Sequence, residues 1–264
     1  IRDDLVTGVQ TCALPISRRE PGRRSNEVEK RVQLTRAFYL GVTEVTNEQF
    51  KQFMSSHDSG SVGRSLLNLA ERPVVNVSWD MAVEFLNWLS GKDGLPFAYE
   101  KVEGAWELVT PLNTGYRLPT EAEWAWVARY ADLPVTRFPW GDNMPPHPKS
   151  GNFADETAEH LASYIISGYN DTFRGTSPPG AFGANGFDIV DMAGNVAEWV
   201  HDRYGVNSSP AVLVDPIGPS IGDTRVIRGS SFMHGRFSES RWTFREHDNQ
   251  PRPDVGFRIA RYLE

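Results

Sequence analysis

The sequence predicts a single loop-rich domain with short helices in its N-terminal half and short strands in its C-terminal half. Helix-start patterns recur through the first half and stop after residue 142. About 120 residues rich in Gly, Asn, Asp, Pro and aromatic side chains follow. The chain contains 23 Gly, 18 Pro and 8 Trp, which is typical of irregular backbone held in place by aromatic packing.

The first elements are an arm, a strand and a helix. Residues 17–36 are polar and basic, and we expect them to form an extended arm that leads into a strand at 38–41. Thr46 is followed three residues later by Gln49, and this capping box predicts a helix from 47 to about 55.

A second strand and a second helix follow. Residues 73–77 (PVVNV) predict a short buried strand. Ser78 is a helix cap, and apolar residues at helical spacing predict a helix from 79 to about 89. Gly91 and Gly94 are expected to end this helix.

The third helix is the last one predicted. Thr120 and Glu123 form another capping box, which places a helix at 121–130. Beyond it only 225–227 and 256–259 are strand candidates. So long an irregular stretch needs something to order it, and bound metal is a natural candidate. No internal repeat or linker is evident, so we expect one domain.

Composition excludes several classes of function. The net charge of -7 and a pI near 5.5 argue against a nucleic-acid-binding surface and leave carboxylates available for metal binding. No apolar run approaches the roughly 20 residues of a membrane helix, and the mean hydropathy of -0.43 agrees. We therefore expect no nucleic-acid partner and no membrane span.

Residues 1–16 (IRDDLVTGVQTCALPI) resemble the translation of a short-read sequencing adapter, so we expect them not to be native and residues 17–264 to form the domain. A signal peptide fits poorly, because no basic start precedes an apolar core. The only cysteine, Cys12, falls in this segment. The location of the protein stays open, and a periplasmic or secreted one is compatible with the sequence.

Eight phrases in a fixed order carry a family resemblance over about residues 20–261. They are EVTNEQF, VSWDMAVEFLNWLS, YRLPTEAEW, FPWGD, GNFAD, NGFDIVDMAGNVAEW, RVIRGSSF and VGFRIAR. Together they resemble the formylglycine-generating enzyme family, also called the sulfatase-modifying-factor family. The resemblance implies an α+β fold related to C-type lectin domains, with little regular secondary structure and few short helices. The family includes oxidases, sulfoxide synthases and binding or accessory proteins, so the fold does not choose an activity.

Oxygen-bearing side chains concentrate where a calcium ion could bind. Asp188, Asp191, Asn195 and Glu198 fall within eleven residues, and Gly194 allows the carbonyls to turn inward. The competing interpretation is that they are turn-forming residues that satisfy their own backbone.

The resemblance implies two structural calcium sites. One would use the Asp191 and Glu198 side chains with the Gly194 and Val196 carbonyls, and the other the Asn152 and Asp171 side chains with the Phe153 and Phe173 carbonyls. Calcium is the expected cofactor, and its role would be to order loops.

The resemblance also locates the positions of the catalytic thiols. In the family's oxidases, the phrase matching residues 229–233 is followed at once by a cysteine and five residues later by another. Here these positions hold His234 and Glu239. Neither replaces a thiolate for Cu(I) or for disulfide exchange, so we expect no copper and no formylglycine generation by the thiol route.

A harder transition metal is an alternative at the same positions. His234 and Glu239 could bind iron or zinc if His201 or His247 supplied a third ligand. A single histidine in a loop is more often a hydrogen-bonding residue. The resemblance also implies that the sulfoxide synthases take their iron ligands largely from an additional helical domain, which we expect this chain to lack or to have lost.

Five arginines crowd this part of the sequence. They are Arg228, Arg236, Arg241, Arg245 and Arg252. We favour structural ion pairs with the nearby acids Glu239, Glu246, Asp248 and Asp254. Alternatively, the arginines line a cleft for an extended peptide or a small anionic ligand.

The expected ligand cleft is lined by Phe232, His234, Arg236 and Trp242. The competing interpretation is that Phe232, Phe237 and Trp242 are packing residues. The sequence thus favours a calcium-ordered binding or accessory module, and whether it is an enzyme stays open. The alternatives are a metal-dependent oxidoreductase that uses His234 and an accessory lipoprotein domain of the cell envelope.

Overall fold

The computed structural model describes residues 3–6, 10–14, 20–159, 161–206 and 211–264, with side chains described from residue 20 onward. Its helices are α1 (Asn47–Lys51), α2 (Trp79–Lys92) and α3 (Glu121–Tyr130), with a 3-10 turn at Glu156–Ala158. Its strands are β1 (Asp3–Val6), β2 (Gln10–Leu14), β3 (Lys30–Leu34), β4 (Phe38–Gly41), β5 (Ser61–Val62), β6 (Ser65–Leu66), β7 (Tyr99–Val102), β8 (Ala105–Leu108), β9 (Ala197–Arg203), β10 (Val212–Val214), β11 (Arg225–Arg228), β12 (Arg245–Asp248), β13 (Val255–Phe257) and β14 (Ala260–Tyr262).

The central sheet has the strand order β12-β11-β9-β13, in which β9 pairs antiparallel with β11 and parallel with β13. The sequence does not predict β9, because the first six residues of this strand are all buried and show no alternation of apolar and polar side chains. Its polar residues find partners inside the protein. Glu198 pairs with Arg258, and Asp202 accepts a hydrogen bond from the Glu121 backbone N–H.

Two smaller sheets lie beside the central one, with the orders β1-β4-β14 and β10-β3-β2. The strand predicted at 38–41 is confirmed as β4. The arm predicted at 17–36 contains β3, so it is not extended chain alone. β1 and β2 belong to the segment 1–16, of which residues 1–2, 7–9 and 15–16 lie outside the described residues. That this segment is not native stays a prediction.

The helix starts are confirmed, and two helix ends differ from the prediction. Both capping boxes form, at Thr46 and Thr120, and α3 has the predicted bounds. α1 ends at Lys51 because the Phe53 and Met54 N–H groups both bond to the Phe50 carbonyl, which makes a turn. α2 continues through Gly91, and the chain turns at Gly94, whose φ is 68°.

The strand predicted at 73–77 is wrong, although these residues are largely buried as expected. Each backbone N–H finds a different partner: Val74 bonds to the Val45 carbonyl, Val75 to the Ser59 hydroxyl and Asn76 to the Arg252 carbonyl. A ladder cannot form when successive residues change partners, and Asn76 has a left-handed φ of 56°. The strand predicted at 256–259 is shifted to Val255–Phe257.

The helices α2 and α3 pack on opposite faces of the central sheet. Trp199 and Ile227 contact the cluster built around α2, whereas the neighbouring Val200 and Val226 contact the cluster built around α3. This division follows from the two-residue period of the strands β9 and β11. The fold is thus α+β, with a sheet between two helical layers. Among the described helices, none has the length and apolar character to cross a membrane.

A buried ion pair fixes the start of α3. The Arg117 guanidinium donates two hydrogen bonds of 2.7 Å to the Glu123 carboxylate, and both residues are almost fully buried. Glu123 also accepts the Thr120 backbone N–H at 2.8 Å. Its carboxylate therefore joins the helix cap to Arg117, whose backbone pairs with β14 at Ala260.

We predict that Glu123→Gln lowers the free energy of unfolding by about 3 kcal/mol, because it leaves the buried Arg117 charge without a counter-charge. Glu48→Gln is the control, since Glu48 is an exposed acid in the first turn of α1. Urea denaturation measures both variants. Equal, small effects in the two variants would contradict the prediction.

Candidate functional site

His234 is buried and hydrogen-bonded. Its Nδ1 accepts the Ser231 backbone N–H at 3.0 Å, which places the ring proton of the neutral imidazole on Nε2. Nε2 faces Glu246 Oε2 at 3.5 Å and Asp254 Oδ2 at 3.9 Å. Phe244 packs edge-on against the ring. The Ser231 hydroxyl contacts His234 and Asp254, but Ser231 is fully buried. The three side chains therefore form a structural cluster, and the Ser231 hydroxyl is not accessible as a nucleophile.

Arg252 supplies the positive charge of this cluster. Its guanidinium donates to Asp254 at 2.9 Å and 3.0 Å and to Glu246 at 3.1 Å. The Arg252 charge lowers the pKa of Asp254 despite the opposing effect of burial. The Glu246 and Asp254 carboxylates that face His234 are thus already paired with the Arg252 guanidinium. This guanidinium balances the negative charge that would otherwise attract a metal ion.

The other proposed ligands lie elsewhere. Glu239 pairs with Arg24 at 3.1 Å. His201 is buried beside the Tyr99 hydroxyl, and burial and nearby arginines lower its pKa. His247 stacks on Tyr204. Within the residues that the structure describes, no three His, Cys, Asp or Glu side chains are grouped so that they could hold a metal ion.

The four residues expected at one ligand cleft lie on different surfaces. Phe232 and His234 are buried, so neither lines an open cleft. The Arg236 side chain is half exposed and covers the Tyr164 ring. Trp242 lines a separate cleft of about 270 Å³ together with Trp140, Phe182, His147, Lys149 and Asp132.

The arginines form ion pairs, as the favoured interpretation predicted. Arg252 pairs with Glu246 and Asp254, and Arg236 lies 3.7 Å from Glu239. The acidic partners of the other three arginines lie far away in the sequence, so the local sequence pattern could not predict them. They are Glu27 and Glu20 for Arg241, and Glu121 for Arg245 and Arg228.

The Asn152 and Asp171 side chains lie in one buried loop cluster. Asp171 accepts the backbone N–H groups of Phe153 at 2.9 Å and Phe173 at 2.7 Å. Burial and the neighbouring Asp155 carboxylate raise the pKa of Asp171 to about 7. Asn152 Oδ1 is buried, and no donor among the described residues forms a hydrogen bond with it. The Asn152 amide nitrogen donates to the Gly175 carbonyl at 2.8 Å, and an unpaired buried amide oxygen is the kind of group that an oxygen-preferring cation binds.

The Asp191 and Glu198 pair is arranged differently. Glu198 accepts hydrogen bonds from Trp124 Nε1 at 2.9 Å and from Arg258 at 2.6 Å and 2.8 Å. Asp191 accepts the Gly180 N–H at 2.6 Å. Burial and the Glu198 charge raise the pKa of Asp191 to about 6. Glu198 is therefore occupied by an arginine, whereas Asp191 is not.

The fold and these loops define a class: an α+β domain in which buried polar side chains order a long irregular C-terminal half. The family model for the sulfatase-modifying factor enzyme 1-like domain matches residues 10–263. The chain belongs to this family.

Two curated relatives differ in function and in coverage. A formylglycine-generating enzyme of Thermomonospora curvata is 33% identical over 182 residues, which are 65% of this chain and 48% of that enzyme. The chain thus spans about half the length of that relative. The chaperone protein LppX of Paenibacillus barcinonensis is 27% identical over 262 residues, which are 90% of this chain and 84% of that protein.

Solved structures include a neighbour with the same fold throughout. Treponema denticola variable protein 1 superposes with a TM-score of 0.70 and 28% identity, covering 98% of this chain and 94% of that one. The fold is therefore shared over nearly the whole chain.

Asp202 makes stability depend on pH. Burial and the Glu121 charge raise its pKa to about 7, above the value of about 4 in unfolded chains. The pKa of Asp202 is higher in the folded protein than in unfolded chains. The contribution of Asp202 to stability is therefore full below about pH 4 and is lost as the pH rises through about 7.

We predict that Asp202→Asn becomes more stable than the parent by up to about 4 kcal/mol as the pH rises from about 4 to about 8. Denaturation at a series of pH values measures the difference, with the exposed Asp80→Asn as control. A difference that does not change with pH would show that Asp202 keeps an ordinary pKa.

Proposed function

We propose that this member of the family is a calcium-ordered binding or accessory module without thiol-dependent oxidase activity. The environment of His234 carries the proposal. The position that matches the first catalytic thiol of the family's oxidases holds His234, a buried imidazole whose Nδ1 accepts the backbone N–H of Ser231. No thiolate is available there for Cu(I) or for a substrate cysteine, because Cys12 is the only cysteine of the sequence.

Nothing in the contacts of His234 favours the transition-metal oxidoreductase. Glu239 points to Arg24, and Glu246 and Asp254 are held by Arg252. A metal would have to displace these guanidinium contacts before any carboxylate became a ligand.

An accessory role draws support from the comparison with LppX. This chain spans 84% of that protein, which is named a chaperone, and 48% of the Thermomonospora enzyme. We infer that the domain acts on a partner by binding, and a cell-envelope location belongs to the same proposal.

The cleft beside Trp242 is the surface that best fits a ligand. Trp140, Phe182 and Trp242 are half buried along it and offer aromatic faces. His147 and Lys149 are exposed at the same cleft and can bind a carboxylate or phosphate. An extended peptide or a small anionic ligand fits this combination.

Calcium would order the loops that border the cleft. Ser150 and Gly151 line the cleft and directly precede Asn152 in the sequence. Asp191 also lines the cleft and is the proposed ligand of the other calcium site. Asn152, Asp171 and the Phe153 and Phe173 carbonyls would hold one ion. The unpaired Asn152 Oδ1 and the raised pKa of Asp171 support this proposal.

We predict that calcium at one hundred times its Kd raises the Tm by about 5–10 °C, because a ligand that binds only the folded state adds about 2.7 kcal/mol at that ratio. Thermal denaturation with and without a chelator, at constant ionic strength, measures the effect. An unchanged Tm would overturn the calcium proposal.

We predict that His234→Ala leaves the iron, copper and zinc content of the protein unchanged and far below one per chain. Elemental analysis of both proteins after identical purification measures this. One bound transition metal per chain that disappears in the variant would replace the binding-module proposal with the oxidoreductase.

A further inference from the structure

The turn that carries Lys149 has an unusual backbone. Residues 147–150 (HPKS) form a four-residue turn, closed by a 3.2 Å hydrogen bond from the Ser150 N–H to the His147 carbonyl. Pro148 and Lys149 are its central residues, and Lys149 has a left-handed φ of 65°. Turns with proline second and a left-handed residue third usually hold glycine or asparagine at the third position. A lysine stands here against the backbone preference, and such strain is typical of functional positions.

Three polar side chains at the cleft beside Trp242 are exposed and have no partner within the described part of the chain. They are Lys149, His147 and Asp132. Among the described residues, none of the three side chains forms an ion pair or a hydrogen bond. Asp132 and Lys149 are therefore not paired with each other, and opposite charges stand apart in one cleft.

Close backbone packing holds these charges at different parts of the cleft wall. A Cβ atom placed on Gly186 would lie 2.9 Å from Asp132 Oδ1, so the chain at Gly186 packs directly on Asp132. A Cβ atom on Gly151 would lie 3.4 Å from the Ala193 carbonyl oxygen, which brings the lysine turn next to Ala193. The negative and positive groups thus border the two ends of the segment 186–193, parts of which line the cleft.

Aromatic side chains line the same cleft. Trp140, Phe182 and Trp242 are half buried there. The Trp140 indole is fixed, because its Nε1 donates to the Asn143 carbonyl at 2.8 Å and its ring stacks on Phe138. Aromatic faces bind apolar groups and also attract an ammonium group. The cleft thus combines an apolar surface with one group for an anion and one for a cation.

We propose that the cleft binds a short peptide with both ends free, whose carboxylate contacts Lys149 and His147 and whose ammonium group contacts Asp132. The inference rests on the ligand cleft proposed above and names its class of ligand. A simple anion would leave Asp132 unpaired beside it, whereas a zwitterion pairs with both charges. The volume of about 270 Å³ lies just below the range of drug-sized ligand sites, which suits a dipeptide.

Calorimetric titration of the calcium-saturated full chain at low ionic strength tests the proposal with three probes. They are the dipeptide alanylphenylalanine, its N-acetyl derivative, which keeps only the carboxylate, and its amide, which keeps only the ammonium group. We expect the free dipeptide to bind at least about fivefold more tightly than either derivative, because each derivative loses one charged contact.

Two variants separate the two ends of the ligand. Asp132→Asn should weaken binding of the dipeptide and the amide about fivefold and leave the N-acetyl derivative unchanged. Lys149→Gly should weaken binding of the dipeptide and the N-acetyl derivative and leave the amide unchanged. Lys149→Gly should also melt above Lys149→Ala, although both bind equally weakly, because glycine adopts a left-handed φ without strain. Lys101→Gln, at an exposed position of β7 outside the cleft, is the control.

The outcomes separate this inference from the proposed function. An N-acetyl derivative that binds as tightly as the dipeptide overturns the zwitterion and leaves the small anionic ligand. Dipeptide binding that is unchanged in Asp132→Asn and Lys149→Gly also overturns the inference, since the peptide would then bind elsewhere. A parent that binds none of the probes overturns the cleft as a peptide site, whereas the calcium-ordered module is overturned only by its own Tm measurement.

Discussion

The buried pair of Glu198 and Arg258 is the interaction on which the rest of the structure depends. Glu198 stands on the central strand β9, and Arg258 follows β13. The same guanidinium donates to the carbonyls of Gly41, at the end of β4, and Val190, at the start of the loop. Trp124 of α3 binds the other side of the carboxylate. Removing either charge would leave its partner buried and unpaired, which costs far more than the pair contributes.

This arrangement explains why the loop around residue 191 is both irregular and well determined. Asp191 and Asn195 adopt left-handed φ values of 54° and 56°, which Asp and Asn tolerate better than most residues. Asn195 compensates with four hydrogen-bond contacts, to Asn152, Ser177 and Glu44. Polar contacts here replace the backbone ladders that order a regular sheet.

The region around His234 is held together by ion pairs. The strand predicted at 225–227 is confirmed as β11. Glu239, Glu246 and Arg252, which follow it in the sequence, form ion pairs. Arg241, Arg245 and Arg252, which were possible ligand contacts in the sequence, form ion pairs with buried or partly buried acids.

The sequence by itself determined the local features of this protein. The capping boxes at Thr46 and Thr120 fixed where two helices begin, because their hydrogen bonds span only three residues. The eight sequence motifs in their fixed order were sufficient to identify the family and the α+β fold class.

The tertiary structure alone decided which charges meet. Glu44 and Asp191, or Arg241 and Glu27, are far apart in sequence, and no local pattern reports their approach. The strand β9 was missed, and residues 73–77 were wrongly expected to form a strand. Strand identity depends on hydrogen-bond partners from elsewhere in the chain, whereas a helix bonds to itself.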